Sequence, residues 1–330
     1  MDQVPSSAPP TSASPTPATP HAHPSHPTSL GHGLLVMGDL WNLLIVREAL
    51  AGPVRFGDLK AALAISDPVL TRRLRDLLSD GVLEADGPRQ EYRLTDAGED
   101  LWPAFVAINA WDRRWAPNSP LRVRVRPRHL TCGHRFDPVF GCGVCGAIGL
   151  SARDTEAARD PAVPAEAANP RRRYHRSASA AGGDAPIAAA AVLADRTSTS
   201  ILASAFLGIH RFGDFQRLMP DTAPHTLTTR LSLLTHQGIL TKTPLQEGSR
   251  RTGYRLTPKG HDFFPTFAFL IAWSEQRFSA DGLAGVRITH RTCGESLRPR
   301  WTCNACNGAL TATSVDVGYT PRSPAPGIAE

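Results

Sequence analysis

The sequence predicts a mainly α fold with small β-hairpins, an α+β class, in which one composite unit is used twice. Three observations predict it: a long-range internal repeat, apolar residues at helical spacing inside each copy, and a Cys/His cluster closing each copy.

The repeat comes first. RFGDL at 55–59 recurs as RFGDF at 211–215, LTRRL at 70–74 as LTTRL at 227–231, and YRLTDAG at 92–98 as YRLTPKG at 254–260. Trp111 answers to Trp273, and His129, Cys132, Cys142 and Cys145 answer in order to His290, Cys293, Cys303 and Cys306. The order never changes, so the chain divides into a tail (1–32), a first helical domain (33–118) with its knuckle (119–153), a linker (154–186), a second helical domain (187–280) with its knuckle (281–318), and a tail (319–330). The first tail is rich in Pro, Ser, Thr and His and is expected to be disordered, because it cannot bury enough apolar surface to offset its ordering entropy. The Ala-, Pro- and Arg-rich linker reads as flexible.

Within copy one, NLLIVREAL and RFGDLKAAL give two helices, and SDPVLTRRLRDLLSDG a third, with Ser66 as its cap, Pro68 in its first turn and Gly81 near its stop. VLEADGPRQEYRLT reads as two strands about an Asp-Gly-Pro turn, and a last helix is expected from Asp96 through Trp111. Copy two repeats this order with a longer hairpin, ILTKTPLQEGSRRTGYRLT.

Composition bounds the function without fixing it. A formal charge of +6 suits a polyanionic partner. No apolar run approaches the ~20 residues of a membrane span, and the first residues lack the apolar core of a secretory signal. The expected location is the cytoplasm, on the nucleoid. There is no G-x-S-x-G, P-loop or H-E-x-x-H pattern, so an enzyme is not expected.

Helix, helix, helix, hairpin, helix is the order of a winged helix-turn-helix. GDLWNLLIVREAL, RFGDL, LTRRLRDLLSDGVL, YRLTDAG and the following AW resemble the HxlR-type family of bacterial winged helix-turn-helix regulators, over 36–116 and, more loosely, 192–278. The resemblance implies a dimeric transcriptional regulator binding double-stranded DNA. Copy two departs from it where ADRTS at 194–198 replaces GDLWN and loses the tryptophan. Some relatives sense electrophiles through a cysteine in the first helix; this chain has none there.

At ~100° per residue, Leu70, Leu74 and Leu77 share one sector of the third helix, and Pro68, Arg72, Arg75 and Ser79 point the other way. Two outward guanidiniums over a leucine back suit a major-groove reader. The candidate DNA contacts in copy one are Ser66, Thr71, Arg72, Arg73, Arg75 and, on the wing, Arg89; Arg73 reads as a structural or phosphate contact. In copy two they are His225, Thr228, Thr229 and Arg230 on the helix, with Lys242, Arg250 and Arg251 on the wing. That second helix is less basic, so copy two leans on wing contacts or serves as an internal dimer partner. A homodimer and a pseudo-dimer within one chain both remain open, and no small-molecule effector is identifiable.

Each copy ends in His-x2-Cys-x9-Cys-x2-Cys. Three thiolates and one imidazole form a closed structural set for zinc, so two Zn2+ sites are expected, one per copy, in zinc-ribbon-like knuckles. The ligands are His129, Cys132, Cys142 and Cys145 in copy one, and His290, Cys293, Cys303 and Cys306 in copy two. His134 competes in copy one, but Glu295 occupies its counterpart. Two alternatives accompany the repressor expected from these features: a zinc/thiol redox-sensing regulator, and a winged-helix protein-interaction scaffold.

Overall fold

The computed structural model describes residues 33–34, 36–86, 91–119, 126–159, 188–245, 251–278 and 286–316. Both tails as far as residue 32 and from residue 317, the wing arginines Arg89 and Arg250, and the linker from 160 to 187 lie outside the described residues.

The first repeat runs α1 (Leu40–Leu50), β1 (Val54–Arg55), α2 (Phe56–Leu63), α3 (Asp67–Ser79), β2 (Leu83–Asp86), β3 (Glu91–Leu94), α4 (Asp96–Glu99) and α5 (Trp102–Trp115). Its knuckle supplies β4 (Arg128–His129), β5 (Pro138–Cys142) and β6 (Thr155–Arg159). The second repeat runs α6 (Ala189–Leu193), α7 (Arg196–Phe206), α8 (Phe212–Leu218), α9 (Pro224–His236), β7 (Leu240–Pro244), β8 (Thr252–Leu256), α10 (Pro258–His261) and α11 (Phe264–Phe278). Its knuckle supplies β9 (Val286–His290), β10 (Pro299–Cys303) and β11 (Val315–Asp316).

Local chemistry explains why the repeated motifs recur. Asp39 caps α1 by accepting from the Trp41 and Asn42 amides at 3.0 and 3.2 Å. Leu70, Leu74 and Leu77 of α3 are buried, as are Leu227, Leu231 and Leu234 of α9. In the Y-R-L-T motif, the Thr95 and Thr257 hydroxyls donate to the Gly81 and Gly238 carbonyls, both at 2.6 Å, and accept from the Gly98 and Gly260 amides, both at 3.2 Å. Each threonine therefore ties the base of a wing to the helical turn after it. Gly98 and Gly260 are needed there because a Cβ would stand 2.3 Å from the Val82 carbonyl oxygen and 2.4 Å from that of Ile239.

The single helix expected from Asp96 to Trp111 is two pieces, α4 and α5. Pro103 in the first turn of α5 lacks the amide needed to continue the α4 ladder, so the chain restarts at Leu101. The linker also begins later than the sequence implied: Thr155–Arg159 is a strand, not a flexible segment, and pairs antiparallel with Val286–His290.

The two repeats face each other across an approximate two-fold axis. The Trp111 indole N–H donates to the Lys259 carbonyl at 3.0 Å, and the equivalent Trp273 donates to Ala97 at 2.7 Å. Arg114 pairs with Asp262 at 2.8 Å, and Arg277 with Asp100. β5 pairs antiparallel with β10 so that Phe140 lies opposite its own counterpart, Trp301. Phe140, Phe264, Phe269 and Trp301 form a chain of edge-on and tilted rings with centroids 5.0–5.8 Å apart. Residues from both repeats thus share one continuous core, as in a self-complementary dimer interface.

Candidate metal centres and nucleic-acid interface

α3 presents the face the sequence implied. Ser66, Thr71, Arg72 and Arg75 are exposed, and Arg72 and Arg75 make no ion pair among the described residues. Arg73 is different. It is 9% exposed, its Nη2 lies 2.7 Å from Asp39 Oδ2 and its Nη1 3.5 Å from Asp76. Of the two roles expected for it, the geometry is that of a structural contact: the same aspartate that caps α1 holds α3 in place. The second repeat keeps the device, with Arg230 2.9 Å from Asp195, the cap of α7. The aspartate survived in ADRTS although the tryptophan did not.

On α9, His225, Thr228 and Thr229 are exposed. The Thr228 and Thr229 hydroxyls donate back to the Pro224 and His225 carbonyls at 2.9 and 2.8 Å, leaving only acceptor capacity outward. On the second wing, Lys242 is exposed and lies 5.6 Å from the Tyr254 ring centroid, and Arg251 is exposed.

The eight expected metal ligands do converge, but in a different partition. One cluster is His129, Cys132, Cys303 and Cys306, and the other is Cys142, Cys145, His290 and Cys293; within each, the ligand atoms all lie within 4.8 Å of one another. The expectation of one self-contained site per copy is thus corrected: each cluster takes His-x2-Cys from one repeat and Cys-x2-Cys from the other. The cause is the strand pairing. β5–β10 runs antiparallel and sets Cys142 opposite Pro299 and Cys303 opposite Pro138, carrying each CxxC to the far end of the sheet. β4–β11 and β6–β9 then seat each histidine beside the other repeat's closing strand.

The distances suit one tetrahedral ion. Cys132 Sγ and Cys303 Sγ are 3.9 Å apart; sulfurs 2.3 Å from zinc at tetrahedral angles stand about 3.8 Å apart. His129 Nδ1 is 3.3 Å from both Cys132 Sγ and Cys306 Sγ, and His290 Nδ1 is 3.3 Å from Cys145 Sγ and 3.2 Å from Cys293 Sγ. In both clusters Nδ1 is therefore the atom placed to ligate an ion, and the buried Nε2 has no hydrogen-bond partner among the described residues. His134 is exposed and contributes only its carbonyl, to the His129 amide at 2.9 Å. All six cysteines are free thiols. Hydrogen bonding, chiefly from the His134 backbone amide, brings the Cys132 thiol down to about 6. Cys306 is raised: burial and the neighbouring Cys132 and Cys303 sulfurs outweigh the Gly308 amide.

A second buried charge joins the repeats. Asp112 on α5 is fully buried and accepts from the Ala189 amide at the start of α6 at 2.8 Å and from the Ser119 hydroxyl. Burial raises its carboxyl to about 6 against these two hydrogen bonds. Neither α6 nor this cap was legible in the sequence, where 187–193 reads as an unpatterned alanine run.

A family model described as HxlR-like helix-turn-helix matches residues 36–120 and 192–281. The HTH-type transcriptional regulator Rv3095 of Mycobacterium tuberculosis is 37% identical over 153 residues, spanning 45% of this chain and 96% of that one. Mb3122 of Mycobacterium bovis matches to the same extent. YvaP of Bacillus subtilis, also an HTH-type transcriptional regulator, is 37% identical over 86 residues, spanning 24% of this chain and 80% of its own. The match to the mycobacterial relatives thus takes in nearly all of their length and just under half of this chain.

Proposed function

Because the chain belongs to the HxlR-like helix-turn-helix family, we propose that this DNA-binding transcriptional regulator is a repressor that reads the major groove with α3 and α9 as one intrachain pseudo-dimer. The observation that carries the reading is on α3: Arg72 and Arg75 stand exposed over a buried leucine back, while the arginine between them is held inward by Asp39. Of the three arginines on α3, the two outward ones would reach guanine edges or phosphates. Thr71, Thr228, Thr229 and His225 would add contacts to bases or sugars. Lys242, Arg251, Arg89 and Arg250 would serve the wings at the backbone, and the regulator would reside on the nucleoid.

Two helices that read one duplex should lie about one helical turn, ~34 Å, apart. Since α3 and α9 carry different outward residues, a single chain should select an asymmetric operator. Binding-site selection on genomic fragments, with the mass of the complex measured alongside, tests this. A perfect palindrome bound by two chains would overturn the pseudo-dimer, and salt-independent binding would overturn the duplex reading itself. Repression is tested by a reporter behind the selected site; rising transcription on addition of the regulator would reverse the assignment.

Both clusters fit Zn2+, with three thiolates and one imidazole at tetrahedral separations. The ion's role is to clamp the repeats together and fix the relative placement of the reading helices. Retention of the metal and of DNA affinity through mild peroxide supports the clamp; coupled loss of both supports the thiol redox switch.

A further inference from the structure

The near-symmetry of the repeats makes their differences informative, and one set of differences lies beside a cavity. Beneath the first knuckle, Arg113 pairs with Asp137 at 3.0 Å and Arg126 with the same carboxylate at 3.3 Å, while the adjoining Phe136 is fully buried. The counterparts in the second repeat, by the alignment of the tryptophans and the metal ligands, are Glu275, Arg298, Arg287 and Leu297. The central acid has become basic, one outer base has become acidic, and phenylalanine has shrunk to leucine. No ion pair forms among Glu275, Arg287 and Arg298.

Beside these residues lies a cavity of about 660 Å³ between α11, the start of α5 and the second knuckle, meeting a smaller one of about 210 Å³ at Glu275. The larger volume lies within the usual range for small-molecule sites, ~300–1,000 Å³. Phe269, Trp273 and Leu297 form the apolar side of the larger cavity and Asp100, Ser296 and Arg298 its polar side, with Glu275 lining both cavities. Arg287 and Arg298 are exposed to water, which satisfies them; Glu275 is the withdrawn group, and it has no hydrogen-bond or ion-pair partner among the described residues. Burial pushes its carboxyl up to about 7, with Arg287 opposing from beyond ion-pair distance.

The geometry points to a binding site for a lipophilic organic amine, its ammonium against Glu275 and its hydrocarbon body against Phe269, Trp273 and Leu297. An ammonium would supply the charge and hydrogen-bond donors that Glu275 lacks, and its hydrocarbon body would cover the apolar side of the cavity. Arg298 lines the larger cavity and Arg287 the smaller, so an organic anion is the competing occupant, and an anionic control decides between the two. The site is independent of the DNA-reading surface and of metal occupancy as a proposal, so it is tested without DNA.

The experiment is calorimetric titration of the full chain, as purified, with 2-phenylethylamine, cyclohexylamine and benzyltrimethylammonium, with 3-phenylpropanoate as the anionic control and intrinsic tryptophan fluorescence, compared with that of Trp273→Phe, as a second signal. At least one amine is expected to bind saturably with one equivalent per chain, and the propanoate not to bind. Glu275→Gln should weaken the amine at least tenfold. The triple change Glu275→Arg, Leu297→Phe, Arg298→Asp installs the first repeat's residues, removes the carboxylate and should abolish binding; an unchanged far-UV spectrum would show that it folds. Absence of saturable binding by all three amines, affinity indifferent to Glu275→Gln, or preference for the propanoate would each overturn the proposal.

Discussion

Cys132 Sγ lies 3.9 Å from Cys303 Sγ although 171 positions separate them. No local knuckle makes that contact; it requires the two repeats to be docked. Serine pairs read the partition directly. Cys132→Ser with Cys303→Ser removes two ligands from one cluster and should leave one metal ion per chain. Cys132→Ser with Cys142→Ser lies within one repeat yet strikes both clusters, and should leave none bound tightly. The reverse stoichiometry in a zinc analysis of the purified variants would restore self-contained knuckles.

Neighbouring arginines on α3 are expected to separate folding from reading. Arg73→Ala strands Asp39 and Asp76 in a nearly buried setting and should cost about 3 kcal/mol of stability. Arg72→Ala and Arg75→Ala should stay within about 0.5 kcal/mol in denaturation. On a selected operator each should weaken binding by ~1–3 kcal/mol if it reads a base, and should do so equally on random duplex if it touches only phosphate. Paired denaturation and binding isotherms check both halves.

Asp112 carries a pH signature. Its folded value of about 6 exceeds the unfolded carboxylate value of ~3.9, so the folded chain holds the proton more tightly. The resulting stability is full below the unfolded value and is lost as pH rises through about 6. Between pH 5 and 8 the native chain should lose ~1 kcal/mol relative to Asp112→Asn, which keeps the acceptor for the Ala189 amide. Parallel slopes for the two proteins over that window would show that the carboxyl is not perturbed.

Two repeated glycines should respond oppositely to alanine. At Gly260 the new Cβ would meet the Ile239 carbonyl oxygen at 2.4 Å, and the substitution should destabilise by about 2–3 kcal/mol. At Gly57, in the equally repeated R-F-G-D motif, nothing lies within 4 Å of a Cβ, so alanine should be neutral or stabilise by up to ~1 kcal/mol. Melting curves of the two variants decide between steric need and mere recurrence.

Local features were legible in the sequence. The spacing of Leu70, Leu74 and Leu77 gave the buried face of α3, and the Asp-Gly-Pro signal in copy one, with its repeat in copy two, gave both strand pairs. The eight ligands were recognisable because thiolates at CxxC spacing have few other uses. Their partition was not, because it is set by the β5–β10 register, a contact between distant segments that no local spacing encodes. Arg73 was ambiguous for the same reason: its role depends on Asp39, on another helix. One available signal was the co-retention of Asp195 with Arg230 in the second repeat, where the surrounding motif had changed. α6 escaped notice because alanines have no amphipathic period, and its start is fixed from outside by Asp112.

Phe140 sitting opposite Trp301 places two non-identical rings on the axis where a true homodimer must put a residue against itself. Covalent fusion has lifted that self-matching constraint, and each partner can now be tuned alone. It also makes pairing unimolecular, so the assembled form should persist at dilutions where separate subunits would part. Occupancy of an operator should then rise in simple proportion to scarce protein, without the steep threshold that obligatory subunit association imposes.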